Sequence, residues 1–291
     1  MISSEPLVTI GIPFFDEEEY LAAAIRSVLR QTWTRIEVIL VDDGSTDRSI
    51  EIARSFRDER VQVFADGRRR FLPARLNEIV TRARGELIAR MDADDIAHPD
   101  RLRRQVEALQ TCGSECVASG TWAGLIDVDE APFAVLEADA RASPAVALER
   151  GIMTHASLVA RRSWLEANPY DEALTRAEDR DLWCRTSSAR FAIVEEPLYV
   201  VRVSPRDPTF LPDYLESQRQ NRILYARYGA RALGRLRTSR RWAESVAKGW
   251  LMRGAVTLGV ADSLVRRRGR PPNARERTLV LEALEAVRQR P

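Results

Sequence analysis

The chain has 291 residues, of which 45% are hydrophobic and 30% charged, and its net charge is only +2. Such a composition supports a sizeable core in one large α/β domain with an appendage, or in two modest domains. It excludes a spanning helix, because no run approaches the roughly 18 apolar residues required, and three cysteines are too few for a disulfide framework. No basic segment followed by an apolar one opens the chain, so a cytoplasmic location is expected.

The first half alternates strand and helix. Residues 8–12 form a short apolar run ended by Pro13, and Leu21, Ile25, Val28 and Leu29 then fall at helical spacing. Residues 36–41 predict a strand that stops at the turn signal Asp42-Asp43-Gly44-Ser45. A helix is expected from about 47 to 56 and a strand at 61–64. Leu72, Leu76, Ile79 and Ala83 mark another helix, and a fourth strand at 86–91 leads into Asp92. Pro99 opens a helix that carries Leu102, Val106 and Leu109. Cys112 and Cys116 are read as small core residues on one helix face.

Strands separated by helices of this length imply a Rossmann-like, mainly parallel sheet flanked by helices. Ligands of such sheets bind beyond the carboxyl ends of the strands. Both acidic clusters, Asp42-Asp43 and Asp92 to Asp95, fall there. From 117 to 203 the pattern mixes short strands (117–122, 157–160, 198–203) with short helices. After Pro205 it is wholly helical and Arg-rich, with an exposed break expected at 266–272. Charge divides along the same line: 26 basic and 35 acidic residues precede Pro205, and 19 basic and 8 acidic follow from it. A basic region of this kind can seek anionic surfaces.

Asp92 and Asp94 stand two apart, so on an extended chain they point the same way. Two such carboxylates repel unless a cation sits between them, and oxygen ligands suit Mg²⁺ or Mn²⁺ bound together with substrate phosphates. Asp95 is read as a capping residue. A carboxylate at Asp42-Asp43 could accept hydrogen bonds from a base or ribose, or simply form a turn. Glu178-Asp179 opens a short helix, where acids are favoured by the dipole alone or could serve as a general base. His155, in an apolar setting, is a hydrogen-bonded core residue or a further metal ligand. There is no Gly-rich phosphate loop and no nucleophile elbow. A nucleotidyltransferase would need a Gly-rich, Arg-containing loop followed by Lys near residue 13, which the sequence lacks. A non-catalytic sugar-nucleotide binder would be expected to have lost one of the acidic clusters. No nucleic-acid partner is expected.

Taken in order, these residues resemble the family 2 glycosyltransferases, a large bacterial group with the GT-A fold. The resemblance runs from Pro6 to Arg202. It rests on residues 8–13 with Glu17, residues 27–32, Glu37-Val-Ile-Leu-Val-Asp-Asp-Gly-Ser-Thr-Asp47, Arg90-Met-Asp-Ala-Asp-Asp-Ile96, His155, and Glu178-Asp-Arg-Asp-Leu-Trp183. Asp16 stands where many members carry Asn. The resemblance implies a GT-A catalytic domain over 1–204, with a nucleotide-binding half to about 100 and an acceptor-binding half after it; residues 205–291 form a helical extension. It implies that Pro13, Phe14, Phe15 and Glu17 contact the nucleotide, that Asp43, with Asp42 beside it, reads the uracil, and that Arg75 meets the nucleotide or its phosphates. It implies that Asp92, Ala93 and Asp94 form the Asp-x-Asp motif for Mn²⁺ or Mg²⁺ and the diphosphate. Asp179 would be the base of an inverting transfer from a nucleoside-diphosphate sugar, with Glu178 and His155 close by. Expected partners are the nucleotide-sugar donor and a saccharide or lipid-linked acceptor. Peripheral contact with the inner membrane face, and a homodimer, are open through the basic helices.

Overall fold

The computed structural model describes residues 5–140, 143–205 and 208–288. Its first half runs β1 (Val8–Phe14), α1 (Leu21–Leu29), β2 (Ile36–Asp42), α2 (Ser49–Ser55), β3 (Val61–Ala65), α3 (Phe71–Arg82), β4 (Leu87–Arg90), β5 (Ile96–Ala97) and α4 (Arg101–Cys112). There follow β6 (Cys116–Ile126), β7 (Pro132–Leu136), α5 (Pro144–Glu149), β8 (Val159–Arg161), α6 (Arg162–Ala167), α7 (Glu178–Arg185) and β9 (Arg190–Arg202). The last part is helical: α8 (Phe210–Leu224), α9 (Ala230–Leu233), α10 (Arg235–Thr257), α11 (Ala261–Val265) and α12 (Ala274–Arg288).

The strands form one sheet in the order β3-β2-β1-β4-β8-β6-β9-β5, with β7 on β6. The four strands β3, β2, β1 and β4 are parallel, as the alternation of strand and helix requires. Beyond them β8 runs antiparallel to both β4 and β6, and β9 returns parallel to β6. Every residue of β1 and β2 is buried, because helices cover both faces. Alternate residues serve opposite layers. Val38 and Leu40 pack with Ile25, Leu102 and Val106, while Ile39 and Val41 pack with Leu76, Ile79 and Trp183. On this second face α3 presses close to β1: a Cβ on Gly11 would stand 2.4 Å from Ile79 Cγ2.

Three features depart from the sequence expectations. Cys112 and Cys116 do not share a helix face; they form a disulfide with Cα atoms 5.8 Å apart. The helix ends at Cys112, and Gly113, at φ 78°, turns the chain back into β6. The segment at 266–272 is not a free break. Arg270 exchanges backbone hydrogen bonds with Val135 at 2.7 and 3.1 Å, so one β-bridge does occur after Pro205. The strand expected at 198–203 begins eight residues earlier, at Arg190, because it pairs along the full length of β6.

The helical part does not stand apart from the sheet. Val280, Ala283, Leu284 and Val287 of α12 close on Ile96, Ile126 and Val200, and Arg26 of α1 donates to the Val287 carbonyl at 3.2 Å. α8 packs on the start of α7: the Arg176 amide donates to Gln220, and Arg180 donates to Asn221 at 3.0 Å.

Candidate active site

The parallel strands deliver their chemistry to one rim. β1 ends beside Phe15, β2 ends at Asp42, and β4 ends two residues before Asp92. Opposite them stand the start of α3 and the start of α7.

At the β2 end, Gly44 adopts φ 80°, a conformation that costs glycine little, and the Ser45 amide donates to Asp42 Oδ1 at 3.0 Å. Asp16 is also in the left-handed region, at φ 52°, which Asn and Asp tolerate better than most residues. Its carboxylate accepts from the Thr46 amide at 2.6 Å and ties the two turns together. Pro13 and Phe14 are buried in β1, with the Phe14 ring in the core layer, so the rim is reached by Phe15. Glu17 is half-buried before α1, and its amide donates to Ser49 Oγ at 2.8 Å.

Asp43 is almost wholly buried and meets four donors. Oδ1 accepts from the Arg70 amide at 2.7 Å and Arg75 Nε at 2.9 Å; Oδ2 accepts from the Phe71 amide at 3.0 Å and lies 3.2 Å from Arg69 Nη1. An ionised carboxylate offers about four acceptor sites, so these are filled. Arg75 is fully buried, and Asp43, Asp66 and Glu78 share its guanidinium. Their hydrogen bonds outweigh its burial and raise its pKa. This arginine holds the loop before α3 in place and presents no free edge to a phosphate.

The loop it holds makes the entrance of the site. Phe71 has φ 65°, a strained value for a bulky residue, and its ring is 48% exposed. The Arg69 guanidinium lies 3.3 Å from the Phe15 ring centroid and 5.3 Å from that of Phe71. Arg69 is 40% exposed, and of the four donors to Asp43 it alone is an exposed side chain. A planar group that displaced Arg69 would meet the Phe15 ring and a freed Asp43 oxygen together.

At the β4 end the residues do not continue an extended strand. Ala93 and Asp94 form a turn, and this brings Asp95 back to its neighbours instead of leaving it to cap a helix. One carboxylate oxygen from each of Asp92, Asp94 and Asp95 lies within 4.8 Å of the other two. Asp95 is buried and accepts from the Arg202 amide at 3.1 Å. Tyr199 Oη accepts from the Asp92 amide at 3.0 Å. Ala93 is buried beneath the turn.

The charges in this cluster are poorly satisfied by protein alone. Burial, and then Asp92, push the Asp94 carboxyl up to about 6, although Arg90 and Arg202 pull the other way. Asp95 is raised well above the usual carboxylate range by burial and by Asp94 and Asp92. Arg90 Nη2 pairs with Asp92 Oδ1 at 2.7 Å, yet its buried Nε has no partner among the described residues. Three crowded oxygen donors that two arginines leave under-compensated fit a hard divalent cation.

α7 supplies the third group. Burial raises Glu178 to about 7; burial, and then Glu178, raise Asp179. Glu178 is buried, whereas Asp179 is partly open. His155 is a buried partner of α7. Nε2 is 2.8 Å from Tyr170 Oη, and Nδ1 is 3.4 Å from Glu178 Oε1. Burial, and then Arg90, depress its pKa to about 3. His155 and Glu178 thus face each other as a buried pair in which burial pushes the carboxyl up and the imidazole down. Both ring nitrogens face protein groups, and His155 is not one of the three clustered carboxyl residues.

Arg69, Phe71, Arg90, Tyr170, Tyr199 and Asp95 are the site residues that the sequence pattern missed. Asp95 had a signal in its place in the acidic run, and Arg90 in its place at the head of the same motif. Tyr199 lies 107 residues from Asp92, and no spacing rule connects them.

A mixed sheet that brings an aromatic-lined entrance, an acidic trio and two carboxyls of raised proton affinity to one rim has the architecture of a GT-A transferase. The chain belongs to glycosyl transferase family 2, whose profile matches residues 9–163, and it is a glycosyltransferase. It is 34% identical over 215 residues to the Bacillus subtilis glycosyltransferase EpsE, covering 69% of this chain and 74% of that protein. Among solved structures, the Pyrobaculum calidifontis mannosyltransferase PcManGT in complex with GDP-Man and Mn²⁺ has a TM-score of 0.61 at 16% identity, covering 97% of this chain and 87% of that one. Staphylococcus aureus TarS 1–349 in complex with UDP has a TM-score of 0.57 at 20% identity, covering 82% of this chain and 70% of that one. At these identities the two structures speak for the fold alone.

Proposed function

We propose that this glycosyltransferase moves a sugar from a nucleoside-diphosphate sugar, UDP being the first candidate, to an acceptor hydroxyl, with inversion and with Asp179 as general base. The observation that carries the proposal is the pairing of Asp179, raised by burial and by Glu178, with the acidic trio at the end of β4. Arg90 links the two groups, since it pairs with Asp92 and its charge also acts on Glu178.

The base enters between Phe15 and Phe71, displaces Arg69 and takes its contact with Asp43. Asp92, Asp94 and Asp95 would hold a divalent cation, Mn²⁺ or Mg²⁺. When bound, the cation supplies positive charge against the departing diphosphate. Arg90 keeps Asp92 oriented toward the site. Asp179 accepts the proton of the attacking hydroxyl, and its raised proton affinity brings it closer to the driving force a base needs near neutral pH. Glu178 and His155 position it. The acceptor is a saccharide or a lipid-linked sugar, as in the assembly of a cell-surface polysaccharide or glycolipid. UDP and GDP-Man with Mn²⁺ are bound in the two fold neighbours, and GDP- or dTDP-sugars are the second reading. A thermal-stabilisation screen of nucleotide sugars with Mn²⁺ distinguishes them.

The test of the base is Asp179→Asn. The variant is expected to bind the donor nucleotide with unchanged affinity by calorimetry and to lose transfer by about 10² to 10⁴. Normal turnover by this variant would remove Asp179 from the role.

A further inference from the structure

The long helix α10 buries one side and leaves the opposite side bare. Its inner side, Ser245, Gly249, Met252 and Ala255, packs toward α8. Ser245 Oγ donates to the Gln218 carbonyl at 2.9 Å, and Gly249 faces Leu215. On the outer side Leu236, Ala243, Ala247, Trp250, Leu251 and Leu258 share one stripe. Their spacings of seven, four, three, one and seven keep them within about one third of the helix circumference.

These apolar residues are strongly exposed: Leu236 by 87%, Leu258 by 76%, Trp250 by 68% and Leu251 by 62%. Isolated apolar surface residues need no explanation, but a continuous stripe with a tryptophan does. Basic residues flank it at Arg235, Lys248 and Arg253, and Arg240 interrupts it between Leu236 and Ala243; all four are exposed. The one acid on α10, Glu244, is neutralised by Arg240 and Arg241. Beside the stripe, a groove of about 390 Å³ lies between α8 and α10, lined by Trp250, Arg219, Arg222 and Arg253. Arg219 is paired with Glu216. Arg222 and Arg253 have no carboxylate partner among the described residues and stack near Trp242 and Trp250.

We infer that the outer face of α10 is a docking surface for an anionic lipid membrane. The helix lies in the plane of the interface, with Trp250, Leu251 and Leu258 among the acyl chains and Arg222 and Arg253 on lipid phosphates. The match is chemical. An apolar stripe with a cationic rim and no free acid is what an in-plane helix presents to anionic headgroups. No helix among the described residues is long and apolar enough to cross a membrane, so the stripe serves to lie on the surface and not to span it. The surface is joined by packing to the start of α7, since α8 packs on α10 by one face and meets Arg176 and Arg180 by the other. A membrane beneath α10 would bring a lipid-linked acceptor toward Asp179.

The test uses the full chain and co-sedimentation with vesicles of phosphatidylcholine alone or with about one third phosphatidylglycerol. The protein is expected to bind the anionic vesicles at least about tenfold more tightly than the neutral ones, and to be released by salt. The double variant Trp250→Glu/Leu251→Glu is expected to lose at least tenfold in vesicle binding with unchanged melting temperature and solution mass. Leu236→Glu, at the most exposed position, serves as a second variant should the first fail to fold. Three results overturn the inference. The wild-type chain does not bind anionic vesicles; both variants bind as well as wild type; or the substitutions change the oligomeric state of the free protein, which makes this face a contact between copies. None of these readouts depends on sugar transfer, so the result is separate from the assignment of Asp179.

Discussion

Replacing Asp43 by Asn distinguishes a carboxylate that organises the site from one kept free for the nucleotide. The buried side chain meets Arg75, two loop amides and Arg69. Asn retains one acceptor oxygen and turns an N–H₂ toward donors, so about half of these contacts are lost. Removing one partner of a buried ion pair outright costs roughly 3–5 kcal/mol; the isosteric change should cost about half, roughly 2 kcal/mol. At about 2.1 cal/mol/K per residue, unfolding all 291 residues carries an entropy of about 0.6 kcal/mol/K, and the melting temperature should fall by about 3–4 °C. UDP affinity should fall with it, because Arg70 and Phe71 lose their anchor. Arg75→Met should cost more, since it leaves Asp43, Asp66 and Glu78 without their shared cation. Differential scanning fluorimetry and calorimetric titration with UDP measure both effects. If Asp43→Asn melted within 1 °C of wild type yet lost UDP binding, Asp43 would be a reader of the base and not the holder of the loop.

The other predictions concern charge. Glu178 has a folded pKa raised from 4.5 to about 7. Its contribution to stability is therefore fully present below about 4.5 and lost as pH rises through about 7. Glu178→Gln should raise the melting temperature at pH 8 and not at pH 5, and it should move the acid limb of the pH–rate profile to lower pH by relieving Asp179 of a neighbouring charge; an unmoved limb would uncouple the two residues. Asp94→Asn should weaken Mn²⁺ binding at least about tenfold in a calorimetric titration, and an unchanged affinity would remove Asp94 from the cation site. Arg69→Ala should tighten UDP binding about three- to fivefold, since roughly 1 kcal/mol of cation–π and surface ion-pair contact no longer competes; weaker binding would show that Arg69 stays in the site as a clamp.

Much of this molecule was legible in the sequence. Residues 36–41 could be read as a buried strand because every position is apolar or, like Glu37, paired inside: its carboxylate meets Thr9 and Arg84. The rim that gathers Asp43 and Asp92 followed from the alternation of strand and helix, since parallel strands point their carboxyl ends the same way. The helix at Glu178 followed from its acidic start. These are local properties, or properties of chain order, and sequence carries both.

Tertiary structure decided which of those residues are free to act. Asp43 and Arg75 are each saturated by the other and by neighbours up to 32 residues away, and no periodicity reports that. Asp95 joined the acidic cluster because residues 93–94 turn and because the Arg202 amide, 107 positions on, holds it. Cys112 and Cys116 are bonded because a helix stops between them, and α12 is core because the chain returns to β5 and β9. The acidic run at Asp92 to Asp95 was visible from the start, but its proton affinity depends on burial and on two arginines, Arg90 next to it in β4 and Arg202 from distant β9. A carboxylate's type is written in the sequence; its partners, and so its chemistry, are set by the fold.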